Sequence, residues 1–96
     1  MSKKIEAIIK KITPVLEKYK VKKASIFGSF ARGEEKVGSD LDILVELGEI
    51  GGLLSMVALK RELETASMKR VDLLTYRSIH PLLKKYVRRD EIKIYG

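Results

Sequence analysis

The sequence predicts a small α/β protein in which a mixed β-sheet is flanked by helices. Segments with helically spaced apolar residues alternate with short runs of β-forming residues, a pattern typical of layered α/β proteins. The connection between the first two of these runs is short and rich in glycine. It is too short for the crossover helix that two parallel strands require. The predicted sheet therefore contains antiparallel as well as parallel neighbours.

The elements are expected in the order helix, strand, turn, strand, helix, strand, helix, with a short strand at the end. Their predicted ranges are 3–19, 24–27, 29–32, 41–47, 53–66, 70–76, 82–89 and 92–95. Within the first helix, Pro14 either introduces a kink or occupies the first position of a second segment capped by Thr13.

Length and composition limit the classes of protein that the chain can represent. Its 96 residues suit a single domain spanning residues 1–96. No apolar run approaches the roughly 20 residues of a membrane helix, and there is no cysteine for a disulfide or a thiolate metal site. These absences favour a cytoplasmic protein with no membrane association. The lack of Asn and Gln, beside many Lys, Arg and Glu residues, indicates a thermophilic source.

The formal net charge of +7 would attract nucleic acid, a nucleotide or an acidic partner. The basic residues are spread along the chain, and the few aromatic residues do not alternate with them as in a base-stacking surface. Solvated helix faces are therefore favoured over a nucleic-acid groove. An RNA-binding or RNA-modifying function stays open as an alternative, and binding that does not weaken steeply with salt would count against it.

Two carboxylates lie one residue apart at the start of the second predicted strand. Because side chains alternate between the faces of a strand, Asp40 and Asp42 share one face, whereas Leu41, Ile43 and Val45 point into a core. Carboxylates held this close raise each other's pKa by repulsion. A bound divalent cation would remove that repulsion.

A third carboxylate, Asp72, lies in the next predicted strand between Val71 and Leu73. Burying an unpaired charge in an apolar strand is costly. If this strand is the neighbour of the second, Asp72 joins Asp40 and Asp42 in one cluster. Oxygen ligands without cysteine or clustered histidine suit Mg²⁺, with Mn²⁺ as an alternative. Two such ions, about 3.5–4 Å apart, would form a site for phosphoryl transfer.

The Gly28-Ser29 pair ends the first predicted strand and is a candidate phosphate site. Glycine permits close approach of the backbone to an anion. Ser29 offers a hydroxyl group at the start of a helical turn, where N–H groups are free. Most Gly-Ser pairs are ordinary turns, so the prediction depends on the carboxylates that follow.

The order of these motifs resembles a known family. Gly28-Ser29, a ten-residue spacer and Asp40-Leu41-Asp42 together resemble the signature of the DNA-polymerase-β-type nucleotidyltransferase superfamily. The surrounding stretch, FGSFARGEEKVGSDLDILVEL, is similar to that of the minimal nucleotidyltransferases, which are stand-alone domains of about this length. The resemblance implies the nucleotidyltransferase fold over essentially the whole chain.

The same resemblance implies a role for each matched residue. Gly28 and Ser29 would hold the phosphates of the nucleotide. Asp40 and Asp42 would bind both metal ions, and Asp72 would bind the catalytic ion and help to deprotonate the attacking hydroxyl group.

Two basic residues near the motif are assigned to the nucleotide by the same resemblance. Arg32 would reach a phosphate group, although it could instead form a surface ion pair with Glu34 or Glu35. Lys36 is also assigned to nucleotide binding.

The resemblance also implies a partner. Domains of this family often accompany a HEPN-domain ribonuclease, as antitoxin to toxin. The implied reaction is Mg²⁺-dependent transfer of AMP from ATP to a tyrosine hydroxyl group of the toxin, which would silence it. A second interpretation is a non-catalytic antitoxin that neutralises the HEPN partner by direct contact, since so short a chain has no second lobe to enclose a nucleotide.

Other motifs are interpreted as structural. His80 precedes Pro81 and is expected to start a helix rather than act as a catalytic base. Gly48, Gly51 and Gly52 lack the spacing of a dinucleotide-binding fingerprint or a P-loop and are expected to mark a connection.

Overall fold

A four-stranded mixed sheet forms the centre of the protein. The computed structural model describes residues 2–48 and 53–96, so the predicted turn glycines Gly51 and Gly52 lie outside the described residues. The elements are α1 (Lys3–Lys18), β1 (Lys23–Phe27), α2 (Gly28–Arg32), β2 (Leu41–Glu46), α3 (Leu53–Ser67), β3 (Val71–Thr75), α4 (Lys84–Asp90) and β4 (Ile92–Tyr95). Short 3-10 helices at Tyr76–Ser78 and Pro81–Leu83 link β3 to α4. The predicted fold class and order of elements are confirmed.

The strand order is β3-β2-β1-β4. β1 is antiparallel to both β2 and β4, whereas β2 and β3 are parallel. These directions follow from the lengths of the connections. The short α2 segment can join only antiparallel strands, and α3 supplies the longer crossover between the parallel pair. The third strand lies beside the second, which is the condition under which Asp72 is expected to join the carboxylates of β2.

Helices α1 and α3 cover one face of the sheet. Alternate strand residues point toward these helices, and apolar residues at helical spacing meet them from the other side. The buried apolar side chains of this core are Ile5, Ile8, Ile12, Leu16, Val21, Ala24, Ile26, Phe30, Leu41, Ile43, Val45, Leu59, Leu63 and Val71. Leu44 of β2 is buried as well, outside this cluster. This core fixes the sheet so that the intervening strand residues face the opposite side.

Helix α1 runs without a break across Pro14. The alternative of a second segment beginning at Pro14 is therefore wrong. Pro14 has no N–H group to donate to the carbonyl group one turn earlier. Beside it, the Thr13 hydroxyl group donates to the carbonyl oxygen of Ile9 at 2.6 Å. At the start of the helix, the Ser2 hydroxyl group accepts from the Ile5 N–H at 3.2 Å.

The last helical segment differs from its predicted range. A 3-10 turn at Pro81–Leu83 precedes α4, because proline favours the first position of a helical turn. His80 Nδ1 accepts from the Leu82 N–H at 3.2 Å. The expectation that His80 starts a helix is confirmed. Across the described ranges, none of the helices is long and apolar enough to cross a membrane.

Candidate active site

Three adjacent strands bring two of the predicted carboxylates together. Asp42 pairs with Asp72 across the parallel strands β2 and β3, and Phe27 pairs with Asp42 across β1 and β2. Both carboxylates lie on the face of the sheet opposite α1 and α3, because their strand neighbours point into the core. Gly28 follows Phe27 directly. The site therefore lies where β1 ends and β2 and β3 begin.

Gly28 lies directly against the Asp42 carboxylate. Its φ angle is +72°, and a β-carbon added there would lie 2.1 Å from Asp42 Oδ2. Only glycine satisfies both the left-handed backbone and this contact. Helix α2 begins here without a side-chain cap from Phe27, so its first N–H groups receive no hydrogen bond acceptor from that residue.

Burial and repulsion combine at Asp42. Desolvation is the larger cause and, together with the charges of Asp72 and Asp40, raises the Asp42 pKa to about 6. The Arg32 charge opposes this shift but does not cancel it. A half-buried carboxylate beside a second carboxylate is the arrangement that a divalent cation would stabilise.

Asp40 is held by a residue that the sequence interpretation missed. Leu41 pairs with Val71, so Asp40 and Arg70 occupy equivalent positions immediately before β2 and β3. Arg70 Nε lies 3.0 Å from Asp40 Oδ1, and the Arg70 carbonyl oxygen accepts from the Leu41 N–H at 2.8 Å. The available signal was a basic residue directly before the strand that carries Asp72.

The three aspartates do not converge as one cluster. Over residues 2–48 and 53–96, no group of three carboxylate, histidine or cysteine side chains is placed to hold one metal ion. Asp42 and Asp72 meet across the strands, whereas Asp40 turns to Arg70. The donor set of Asp42 and Asp72 fits Mg²⁺ in chemistry, because both supply hard oxygen atoms. The Arg70 contact uses Asp40 Oδ1.

Arg32 lies at the end of α2 between two carboxylates. Arg32 Nε is 2.6 Å from Glu34 Oε1, and Nη1 is 3.3 Å from Asp90 Oδ2 on α4. Of the two surface partners considered for Arg32, Glu34 is therefore correct and Glu35 is not a partner. These ion pairs raise the Arg32 pKa and keep its charge near the site, with the hydrogen bond to Glu34 as the main cause.

Lys36 and Ser29 occupy different parts of the site. Ser29 is half-buried at the start of α2 beside Gly28. Lys36 lies in the loop before β2, where its N–H donates to Ser39 Oγ at 2.8 Å. Its side chain lines a pocket shared with Arg70. Lys36 is thus placed on the Arg70 side of the loop.

Comparison with known proteins identifies the family. The family model described as "Polymerase beta, Nucleotidyltransferase" matches residues 10–96. The chain belongs to the polymerase β nucleotidyltransferase family. The resemblance drawn from Gly28-Ser29 and Asp40-Leu41-Asp42 is therefore confirmed.

Relatives of this nucleotidyltransferase agree in sequence and fold. A protein of Methanocaldococcus jannaschii, provisionally named a protein adenylyltransferase, is 54% identical over 90 residues, covering 94% of this chain and 97% of the relative. A solved structure provisionally assigned as a minimal nucleotidyltransferase has a TM-score of 0.79 and 34% identity, covering 92% and 90% of the two chains. A toxin-antitoxin crystal structure with AMP-PNP has a TM-score of 0.79 and 27% identity, covering 92% and 73%.

The raised Asp42 pKa predicts how the stability of this nucleotidyltransferase depends on pH. Unfolding returns the pKa of the Asp42 carboxyl group from about 6 to its ordinary value of 3.8, so the native state binds more protons than the unfolded state between these pH values. In metal-free buffer the free energy of unfolding should therefore decrease as pH rises from about 4 to 6. Urea unfolding of the wild type and Asp42→Asn across this range measures the effect. An equal slope in both proteins would contradict the assignment to Asp42.

Proposed function

We propose that this nucleotidyltransferase is a protein adenylyltransferase that transfers AMP from ATP to a tyrosine hydroxyl group of a HEPN ribonuclease toxin and so acts as its antitoxin. The observation that carries the proposal is the placement of Gly28 against Asp42, with Asp72 in register beside it. The names of the relatives support protein adenylylation and a toxin–antitoxin pairing.

In this proposal the reaction is divided between neighbouring strands. Gly28 and Ser29, where β1 leads into α2, hold the phosphates of ATP. Asp72 lies one strand beyond Asp42, on the side away from Gly28, and accepts the proton of the acceptor hydroxyl group. The hydroxyl oxygen forms a bond to the α-phosphorus, the bond from that phosphorus to the bridging oxygen of the β-phosphate breaks, and pyrophosphate leaves.

Metal ions fit the carboxylate side of this scheme. Asp42 and Asp72 would hold Mg²⁺, or Mn²⁺ in its place, and Asp40 would complete a two-ion site. Bound Mg²⁺ supplies positive charge that offsets the phosphate charge and favours the ionised carboxylates. Arg32 and Lys36 remain proposed nucleotide contacts. Arg32 must exchange Glu34 and Asp90 for phosphate, whereas the Lys36 contact with Ser39 is made by its backbone N–H and leaves its ammonium group available.

Intact mass spectrometry tests the proposal directly. The chain is mixed with the HEPN protein encoded beside its gene, ATP and Mg²⁺. We expect the HEPN protein to gain the mass of AMP, and its tyrosine-to-phenylalanine variant at the modified position to gain none. Chelation of the metal should prevent the gain. A gain of full size with the Asp40→Ala/Asp42→Ala double variant would refute the assignment of the site.

A second candidate function is a non-catalytic antitoxin that binds the HEPN protein. The observation that favours it is the Asp40–Arg70 ion pair, which leaves only Asp42 and Asp72 facing each other. In that case Asp42→Asn would neutralise the toxin at the same stoichiometry as the wild type, without ATP. If neutralisation instead requires ATP and Asp42, the catalytic function holds.

A further inference from the structure

A basic pocket lies beside the candidate active site. It has a volume of about 720 Å³ and is lined by residues of the α1 start, the loop before β2 and the turn before β3. Its cations are Lys4, Lys36, Lys69 and Arg70, arranged with Phe30, and it contains one carboxylate, Glu35. We call this group of residues the basic pocket.

Most of the charge in the basic pocket is uncompensated. Arg70 pairs with Asp40, but Lys4, Lys36 and Lys69 form no ion pair with any carboxylate in residues 2–48 and 53–96. The ammonium groups of Lys4 and Lys69 lie 5.7 and 5.4 Å from the centre of the Phe30 ring. Several cations that share one concave surface raise the local concentration of anions.

The basic pocket lies at the edge of the sheet where β2 and β3 begin. Ser39 and Arg70 line it, and these residues immediately precede Asp40 and Val71. The phosphate-binding residues Gly28 and Ser29 follow β1, which is separated from β3 by β2. Phe30, which follows Ser29 on α2, also lines the pocket, so the pocket borders both α2 and β3. A hydroxyl group presented at Asp72 lies on the β3 side, where Arg70 connects the site to the basic pocket.

We propose that the basic pocket binds acidic residues that flank the acceptor hydroxyl group in the partner protein, an inference that rests on the proposed function. Arg70 links the two sites, because an acidic side chain that engages Arg70 competes with Asp40 for it. Docking of the correct acceptor would then release Asp40 toward Asp42 and Asp72.

The surface favours a peptide over RNA. Phe30 is only 3% exposed, so its ring offers no platform for base stacking. Val37 and Met68, which also line the basic pocket, are exposed apolar side chains that suit contact with peptide side chains.

Charge reversal provides the test. Two fluorescent peptides are compared by anisotropy without ATP: one carries glutamates around a single tyrosine, and the other carries glutamines. The wild type should bind the glutamate peptide more tightly. Lys4→Glu/Lys69→Glu should bind it about tenfold more weakly, whereas Lys10→Glu/Lys11→Glu, an equal change of charge on exposed residues of α1 outside the pocket, should not.

Controls separate this proposal from folding and from catalysis. If Lys4→Glu/Lys69→Glu lowers the melting temperature, Lys4→Gln/Lys69→Gln replaces it as the test variant. This neutral variant should weaken binding of the glutamate peptide by a smaller factor. Equal binding of both peptides by the wild type, an equal loss in Lys10→Glu/Lys11→Glu, or tighter pocket-dependent binding of a short single-stranded RNA would overturn the proposal. The binding assay contains no ATP, so its result does not depend on the transfer reaction. If the chain transfers AMP but binds both peptides equally, the peptide-binding role of the basic pocket is refuted and the proposed function is not.

Discussion

Replacement of Gly28 by alanine is expected to abolish nucleotide transfer and to destabilise the fold. The new β-carbon would lie 2.1 Å from Asp42 Oδ2 on a backbone with a φ angle of +72°. Either the carboxylate or the start of α2 must move. The left-handed strain and the overlap together should lower the free energy of unfolding by about 2–5 kcal/mol, a large part of the stability of a small domain.

Gly33 offers a matched control for this substitution. Its φ angle is +73°, but no atom lies within 4 Å of the position that a β-carbon would occupy. Gly33→Ala should therefore show the backbone strain alone, about 1–2 kcal/mol, and retain transfer activity. Urea unfolding and AMP transfer measured on both variants separate the two effects. Equal losses in the two variants would show that the contact with Asp42 is unimportant.

Asp42→Asn should lower the rate of AMP transfer by at least about 10³-fold, as is usual for removal of a central catalytic group. The neutral amide cannot supply a second anionic oxygen ligand beside Asp72. The melting temperature at neutral pH should stay the same or rise, because the ionised Asp42 is desolvated and is repelled by the charges of Asp72 and Asp40. Loss of activity without loss of stability identifies a functional group rather than a structural one.

Two comparisons make this second prediction specific. Asp72→Asn should reduce transfer to a similar extent, because Asp72 is paired with Asp42 in the strand register. Glu17→Gln, which removes an exposed carboxylate of α1, should change neither activity nor stability. Calorimetric titration with Mn²⁺ should show weaker binding to the first two variants only. Wild-type activity of Asp42→Asn would remove the basis of the proposed mechanism.

Much of this arrangement could be predicted because charge and apolar patterning conflict at single positions. Asp72 stands in an apolar strand, and that conflict indicated a polar site beside β2 on the condition that β3 is its neighbour, as the structure places it. The antiparallel β1–β2 pair followed from the length of its connection. These inferences depend on burial and chain length, which the sequence specifies locally.

The ion pairs around the site could not be predicted in the same way. Arg70 and Asp40 are separated in sequence, and both side chains are well exposed, so no burial cost marks them as partners. Arg32 likewise meets Asp90, a residue of α4 whose position depends on the whole fold. The reason for glycine at position 28 was also only partly visible, because the Asp42 carboxylate reaches it from another strand.

Because β2 and β3 pair residue by residue, the protein folds correctly only when these two strands are aligned in this register. Side chains alternate between faces, so a shift of β3 by one position would carry Asp72 into the layer beneath α1 and α3 and bring Val71 or Leu73 opposite Asp42. Such a shift displaces β3 by about 3.3 Å along the strand axis. Such a molecule would bury a charge and separate Asp72 from Asp42 at once, so the apolar layer that stabilises the protein also excludes misaligned forms.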